Sequence, residues 1–328
     1  MNALMTVAQA SALISSGRPV LIAGDEKLLR ALPRGRWIGG SIPYFMADAG
    51  GTKTADRLFV TQLPEFAKEA EARLYDVATL PRLPEHYPDN GVSFVILPAS
   101  SKAHVEFAEH GTSWPGVFDR PLVGWIAGVD LADLGKVSPK VFDGSTGAES
   151  DNAAAVLHVK LPSSHHANID IINLFEQGRG DELTFFESGF QVDECLVNGA
   201  RRNFAEYLIE KQIDTKLPLV ADYHGAMVNI SFQNVDAKTR KVSLYAPVFE
   251  GVSYRVAAPL AGDYAAEFQK QLAARNVKPV FACNCILNFL YGALEGRTTG
   301  SMVGPVTFGE IAYMLLNQTM VYVDFVKR

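Results

Sequence analysis

The sequence has few cysteines and no long apolar run, and both shortages narrow the class of protein. Three cysteines in 328 residues, Cys195, Cys283 and Cys285, cannot build a disulfide framework and are typical of a reducing compartment. No apolar stretch reaches the roughly 18 residues of a membrane-spanning helix, and residues 1–16 lack the basic region of a signal peptide. We therefore expect a cytoplasmic protein with no membrane partner.

The charge balance excludes a further class of protein. Thirty basic and 36 acidic residues give a formal net charge of −6, and the basic residues form only short pairs such as Arg201-Arg202. Proteins that bind nucleic acid present a basic field, so no nucleic-acid partner is expected. A chain of this length with 48% hydrophobic residues buries a large core and needs neither a disulfide nor a metal to fold.

One pattern recurs four times and predicts an α/β protein (α+β with mixed sheets). Each copy has a buried strand, a helix, a second strand that carries glycine, and a third strand. A continuous apolar strand followed by a helix indicates burial on both faces, whereas the later, alternating strands suit a sheet with one wet face. The copies begin near Pro19, Val92, Asn203 and Pro279; the third lacks a clear first strand.

The repeats predict two pseudo-duplicated halves, each built from strand-helix-strand-strand modules. Segment 163–202 breaks the pattern and is interpreted as the crossover between them, which gives domains 1–162 and 163–328. A cleft between two such halves is a preferred place for a ligand.

Several stretches of the second half carry a family resemblance. They are Asn198-Gly199, residues 218–226 (PLVADYHGA), 246–252 (APVFEGV), 281–287 (FACNCIL) and Gly309-Glu310-Ile311. They resemble the FIST family of bacterial sensory domains. The resemblance implies a FIST N-like first domain, a FIST C-like second domain, and a small ligand such as an amino acid.

This sequence also departs from the FIST pattern. The R-x-x-x-G stretch that usually follows the cysteine is replaced by residues 284–288 (NCILN), and no output module is attached. If the chain is a sensor, it is expected to signal through a separate partner protein.

The two cysteines near the C-terminus have several possible roles. Cys283, Asn284 and Cys285 lie where a strand meets a helix, and the positive end of a helix lowers a thiol pKa. Free cysteine is also among the most buried residue types. Buried structural thiols, pocket lining and a nucleophile all remain open.

Two further groups of polar residues follow buried strands. Asp222, Tyr223 and His224 form the densest polar group, which suits ligand contact, a catalytic base or the satisfaction of backbone groups at a strand end. Ser100 and Ser101 precede a helix, where serine is the usual N-cap or lines an anion pocket. Glu310 matches a position that is acidic in the FIST family. Two roles are open for it: pairing with the ammonium group of a ligand, or a solvated carboxylate at the end of a strand. The predicted ligand-binding set is Ser100, Ser101, Asp222, Tyr223, His224, Cys283, Asn284 and Glu310.

No metal or cofactor is predicted. His165 and His166 are adjacent, so in a strand they point to opposite faces, and no third ligand stands at a fixed spacing. The turn 178–181 (GRGD) precedes a strand, so it is not a dinucleotide fingerprint.

These observations predict a sensory or signal-transduction protein that binds a small molecule, an amino acid or small carboxylate, in the cleft between the halves. They favour a binding protein over an enzyme. One alternative is a thiol-dependent hydrolase or transferase that uses Cys283 or Cys285 with His224. Another is a scaffold protein, which would expose a large apolar patch.

Overall fold

A computed structural model describes residues 2–223, 225–275, 277 and 279–328. Contacts between Cα atoms divide the chain into two compact units. The larger unit contains the residues up to Ile172, Ala265–Leu315 and Met320–Arg328; the smaller unit contains Asn173–Tyr264 and Leu316–Thr319.

The secondary structure is mostly β, with short helices. The strands are β1 (Asn2–Met5), β2 (Val20–Gly24), β3 (Trp37–Ser41), β4 (Tyr44–Ala47), β5 (Gly50–Lys53), β6 (Leu58–Gln62), β7 (Glu69–Tyr75), β8 (Gly91–Pro98), β9 (Leu122–Ala127), β10 (Val141–Asp143), β11 (Ala148–Ser150), β12 (Ala154–Lys160), β13 (His165–Asn173), β14 (Leu183–Phe185), β15 (Gly189–Val192), β16 (Glu194–Val197), β17 (Ala200–Asn203), β18 (Leu219–Tyr223), β19 (Ala226–Ile230), β20 (Phe232–Asp236), β21 (Lys241–Val248), β22 (Tyr254–Val256), β23 (Phe281–Cys285), β24 (Gly304–Thr307), β25 (Glu310–Ala312), β26 (Met314–Leu316) and β27 (Thr319–Lys327). The helices are α1 (Val7–Ser15), α2 (Glu26–Arg30), α3 (Lys102–His110), α4 (Phe204–Glu210), α5 (Tyr264–Arg275) and α6 (Ile286–Tyr291).

Side-chain caps explain where several helices begin. Each capping residue has an extended backbone, and its side-chain oxygen accepts a hydrogen bond from a backbone N–H of the first turn, which otherwise lacks a partner. The caps are Thr6 for α1, Asp25 for α2, Ser101 for α3 and Asn203 for α4.

The larger unit repeats one module three times. In each module a buried strand leads through a helix to a parallel strand, and a later strand returns antiparallel on the other side of the first. The modules are β2-α2-β3 with β6, β8-α3-β9 with β12, and β23-α6-β24 with β27. The helix is needed because parallel strands require a crossover connection.

A hairpin exchange joins these modules into a closed cycle. The hairpin β4-β5 follows β3 in the chain but pairs with β24. The hairpin β10-β11 follows β9 but pairs with β3, and the strands β25 and β26 follow β24 but lie beside β9. The three sheets are therefore six-stranded, with the orders β1-β6-β2-β3-β10-β11, β26-β25-β9-β8-β12-β7 and β13-β27-β23-β24-β4-β5.

The glycine of the second parallel strand has a steric reason. A Cβ placed on Gly124 would lie 1.7 Å from the carbonyl oxygen of Val95, and one on Gly304 would lie 1.9 Å from that of Ala282. Contacts under 3.0 Å require atoms to move, and here the obstacle is backbone. Only glycine lets the two parallel strands approach this closely at these positions.

Aromatic side chains fill the core of the larger unit. The ring of Trp125 in β9 stacks on that of Phe281 in β23, with centroids 5.5 Å apart, and Phe94 in β8 meets Phe281 edge-on at 5.5 Å. All three residues are buried. The second and third modules therefore share one core.

The smaller unit has two antiparallel sheets. Their strand orders are β17-β16-β14-β22-β18-β19 and β15-β21-β20. The rings of Phe185 and Phe204 lie 5.3 Å apart, and those of Phe185 and Tyr254 lie 5.5 Å apart, all three residues being buried.

The predicted α/β class with mixed sheets is confirmed, and the predicted first, second and fourth copies are the three modules. The third copy differs, because β18 pairs antiparallel with both of its neighbours, β19 and β22. The predicted module needs a parallel pair. The repeat is thus threefold within one unit, and the described residues do not form the two equivalent halves that were predicted.

The compact units also differ from the predicted domains 1–162 and 163–328. Residues on both sides of position 163 share the larger unit. The predicted crossover segment 163–202 contains β13, an edge strand of the third sheet, and then β14 to β17 of the smaller unit.

Candidate functional site

The structure brings three predicted site residues close together in the third module. Cys283 and Asn284 lie in β23, and Glu310 begins β25; none of them is more than 2% exposed. The hydroxyl of Thr307 lies 3.3 Å from the carbonyl oxygen of Asn284 and 3.4 Å from Oε1 of Glu310. Burial, with a smaller contribution from the charge of Glu310, raises the pKa of the Cys283 thiol. The thiolate that a nucleophile needs is therefore disfavoured.

Asn284 borders a crevice that is already packed. Its Oδ1 accepts a hydrogen bond from Nδ2 of Asn288 at 2.9 Å, while its own Nδ2 has no hydrogen-bond partner among the described residues. The crevice has an empty volume of about 150 Å³ but is nowhere wide enough for a water molecule. Its lining residues are Met46, Ala282, Cys283, Asn284, Met302, Val303, Gly304, Pro305 and Met320. In this conformation it takes no ligand.

Ser100 and Ser101 lie at the junction of β8 and α3 in the second module. Ser101 is buried and its Oγ caps α3 by accepting from the N–H of His104 at 3.0 Å. Ser100 is exposed, has φ of 61°, and donates its N–H to Nδ1 of His104 at 3.1 Å. The side chain of Ser101 thus serves as the N-cap of α3. Ser100 has a left-handed backbone conformation, which residues other than glycine seldom adopt.

The third predicted group belongs to the smaller unit. Asp222 is exposed, and its Oδ1 accepts from the N–H of Gly225 at 2.5 Å. Tyr223 is half-buried, and burial raises the pKa of its phenol. His224, which is the base of the predicted Cys–His pair, lies outside the described residues. The predicted set is therefore divided between the two compact units.

The smaller unit also has a groove that sequence reasoning missed. Its volume is about 310 Å³. It is lined by Phe185, Phe186, Glu187, Val192, Asp193, Glu194 and Arg201, which belong to β14 to β17 and their connections. Of its apolar lining residues, Phe185 and Val192 are buried, whereas Phe186 is 45% exposed.

Charged side chains form the rim of this groove. Arg201 donates from Nε to Oε2 of Glu194 at 3.0 Å, and its guanidinium lies 5.2 Å from the ring centroid of Phe186. The hydrogen bond from Arg201 lowers the pKa of Glu194. Asp193 has a longer ion pair, 3.7 Å, with Nζ of Lys241. Glu187 has no ion pair within the described part of the chain.

Two general features of the chain complete the description. In the ranges that the structure describes, no three His, Cys, Asp or Glu side chains are grouped as metal ligands. Over the same residues, no helix is both long and apolar enough to cross a membrane.

Comparison with protein families gives a match over nearly the whole chain. Residues 5–326 match the model of a family of unknown function, DUF6976. The chain belongs to this family. A search of curated proteins gives no match to this DUF6976 member. Its resemblance to the FIST family stays a prediction.

Within the described residues of this DUF6976 chain, the groove offers a space of about 310 Å³ for a ligand. Small-molecule sites are concave, mostly apolar at the base, and carry a few polar groups that fix orientation. One sequence signal points to it: in the run Phe185-Phe186, alternation places one ring inside and the other on the wet face. A large exposed aromatic beside charged residues is typical of a binding surface.

Proposed function

We propose that this DUF6976 member is a small-molecule-binding protein whose ligand occupies the groove of the smaller unit. The observation that carries the proposal is a space of about 310 Å³ that is lined by charged side chains and by the exposed ring of Phe186. Sites for small molecules begin at about 300 Å³. The groove is thus large enough for a metabolite of amino-acid size.

The groove carries charges of both signs, which supports the amino acid of the sequence prediction over a simple carboxylate. Arg201 is the cation of the lining, and Glu187, Asp193 and Glu194 are its anions. An amino acid brings an ammonium group to these three carboxylates, whereas a simple carboxylate brings only like charge.

We further propose that binding has a sensory role and is read out by a separate protein in the cytoplasm. The three cysteines, all within the described residues, form no disulfide, which suits a reducing compartment. The thiol-enzyme alternative is weaker, because all three cysteines are buried and burial opposes the thiolate.

A thermal-shift screen against amino acids and small organic ions tests the proposal. A ligand at 100 times its Kd stabilises its binding unit by about 2.7 kcal/mol. We expect a compound that stabilises the wild type but not Phe186→Ala, which removes an exposed ring of the groove. Phe118→Ala is the matched control, since Phe118 is 60% exposed and lies in the larger unit.

The proposal fails if no compound stabilises the wild type, or if Phe186→Ala retains the full stabilisation.

A further inference from the structure

We propose that the group recognised in the groove is an organic ammonium ion, carried by an apolar or aromatic body that packs against Phe186. This inference rests on the proposed function and names the chemical class of its ligand. Three features of the groove support it: the surplus of carboxylates, the cation already placed over the Phe186 ring, and the apolar side chains among the lining residues.

The lining has more carboxylates than cations. Glu187, Asp193 and Glu194 oppose Arg201 alone. The guanidinium of Arg201 is engaged by Glu194, through Nε at 3.0 Å and through a second, shorter contact from its terminal nitrogen. Glu187 is exposed and has no ion pair within the described residues. Its charge is therefore available to a ligand cation.

Asp193 is the second available carboxylate. Its ion pair with Lys241 spans 3.7 Å, and both side chains are about half exposed, at 56% and 43%. A pair this long and this exposed is weak, because water screens it. A ligand ammonium at the rim would meet Asp193 with little loss of existing contacts.

The ring of Phe186 already accepts a cation. The Arg201 guanidinium carbon lies 5.2 Å from the ring centroid, within the roughly 6 Å of a cation–π contact. The ring remains 45% exposed, so it offers further area to a ligand. Phe185 and Val192 also line the groove, so the apolar body of a ligand would lie next to their side chains.

The carboxylates of the lining disfavour a negatively charged ligand. An anion that approached Arg201 would displace Glu194 or share the rim with Glu187 and Asp193. Like charges repel, and desolvation in a groove increases the penalty. An ammonium ion gains from the same three carboxylates.

Four matched phenyl compounds test the inference by titration calorimetry on the full chain: 2-phenylethylamine, 2-phenylethanol, 3-phenylpropionate and phenylalanine. They share an aromatic body and differ in charge. We expect the amine to bind about tenfold more tightly than the alcohol, and the propionate to be the weakest. Raising the salt concentration from about 50 to about 500 mM should weaken the amine and not the alcohol.

Charge variants locate the effect. Glu187→Gln should weaken the amine about fivefold and leave the alcohol unchanged. Glu176→Gln is the matched control, since Glu176 is an exposed carboxylate of the smaller unit outside the groove lining, and it should change neither Kd. Both replaced side chains are exposed, so both variants should fold, as circular dichroism would verify.

The outcomes separate this inference from the function on which it rests. If the alcohol or the propionate binds as tightly as the amine and Phe186→Ala abolishes that binding, the groove is a ligand site but the ammonium inference is overturned. An unchanged amine Kd in Glu187→Gln overturns it as well. If phenylalanine binds and the amine does not, the recognised group is not the ammonium alone. If none of the four compounds binds and the wider screen also gives no ligand, the proposed function fails with it.

Discussion

Mild acid should destabilise the larger unit through a buried histidine. His158 in β12 is 6% exposed; its Nδ1 lies 2.8 Å from the hydroxyl of Ser93, and its Nε2 lies 2.9 Å from the hydroxyl of Tyr75. Burial lowers the pKa of His158 from 6.5 to about 3, and the nearby His86 and Arg73 act in the same direction. The native ring is therefore neutral at pH 5.

The magnitude follows from the two pKa values. In the unfolded chain the ring titrates near pH 6.5, so the unfolded state binds more protons than the native state between pH 6.5 and pH 3. The free energy of unfolding then falls as the pH falls through this window. At pH 5, which is 1.5 units below the unfolded pKa, the loss due to His158 is about 2 kcal/mol.

Urea unfolding at pH 7 and at pH 5, followed by tryptophan fluorescence, measures this loss. The three tryptophans, Trp37, Trp114 and Trp125, all belong to the larger unit, so their signal reports on the right part of the chain. In His158→Gln the fall between the two pH values should be smaller by about 2 kcal/mol. In His110→Gln, which replaces an exposed histidine, it should match the wild type.

Parallel pH profiles for the wild type and His158→Gln would refute the reasoning. A lower stability of the variant at pH 7 alone would not, because the test compares the change between the two pH values.

Three further expectations concern strand packing, backbone conformation and the thiols. Gly124→Ala should lower the free energy of unfolding by about 3 kcal/mol or more, because the new Cβ meets the Val95 carbonyl. Gly180→Ala, whose Cβ would meet no atom within 4 Å, should change it by no more than about 0.5 kcal/mol; circular dichroism in urea follows both variants, because it reports on both units. Ser100→Gly should raise the free energy of unfolding by about 0.5–1 kcal/mol, since glycine adopts a left-handed backbone without strain; an unchanged or lower midpoint would contradict this. Iodoacetamide should label none of the three cysteines in the native protein and all of them in urea, as mass spectrometry would record; fast native labelling would reopen the thiol-enzyme hypothesis.

The three modules could be predicted because their signals are local. In β8, eight consecutive buried residues precede the capping Ser101 and the helix α3, and Gly124 marks the close approach of the parallel partner. These features depend on burial, capping and steric fit within about 35 residues of chain, which sequence patterns record.

The hairpin exchange and the groove could not be predicted in the same way. The pairing of β4 with β24 joins residues about 260 positions apart (Tyr44–Ala47 with Gly304–Thr307), and alternation in each strand does not name its partner. The groove depends on side chains from several short strands meeting in space. Only the exposed Phe186 leaves a trace in the sequence. The predicted set is divided between the two compact units: Asp222 and Tyr223 lie in the smaller unit, and Cys283 and Glu310 lie in the larger one.

Because of the hairpin exchange, strands made early in synthesis lack their partners until the last part of the chain has been made. When a ribosome has released residues 1–172, β9 still lacks its neighbour β25 and β4 still lacks β24, because both partners lie in the last quarter of the chain. Open strand edges of this kind invite pairing with other molecules. A chain that ends before Gly304 would keep these edges open permanently. We therefore expect such truncated chains to aggregate rather than to form a smaller folded protein.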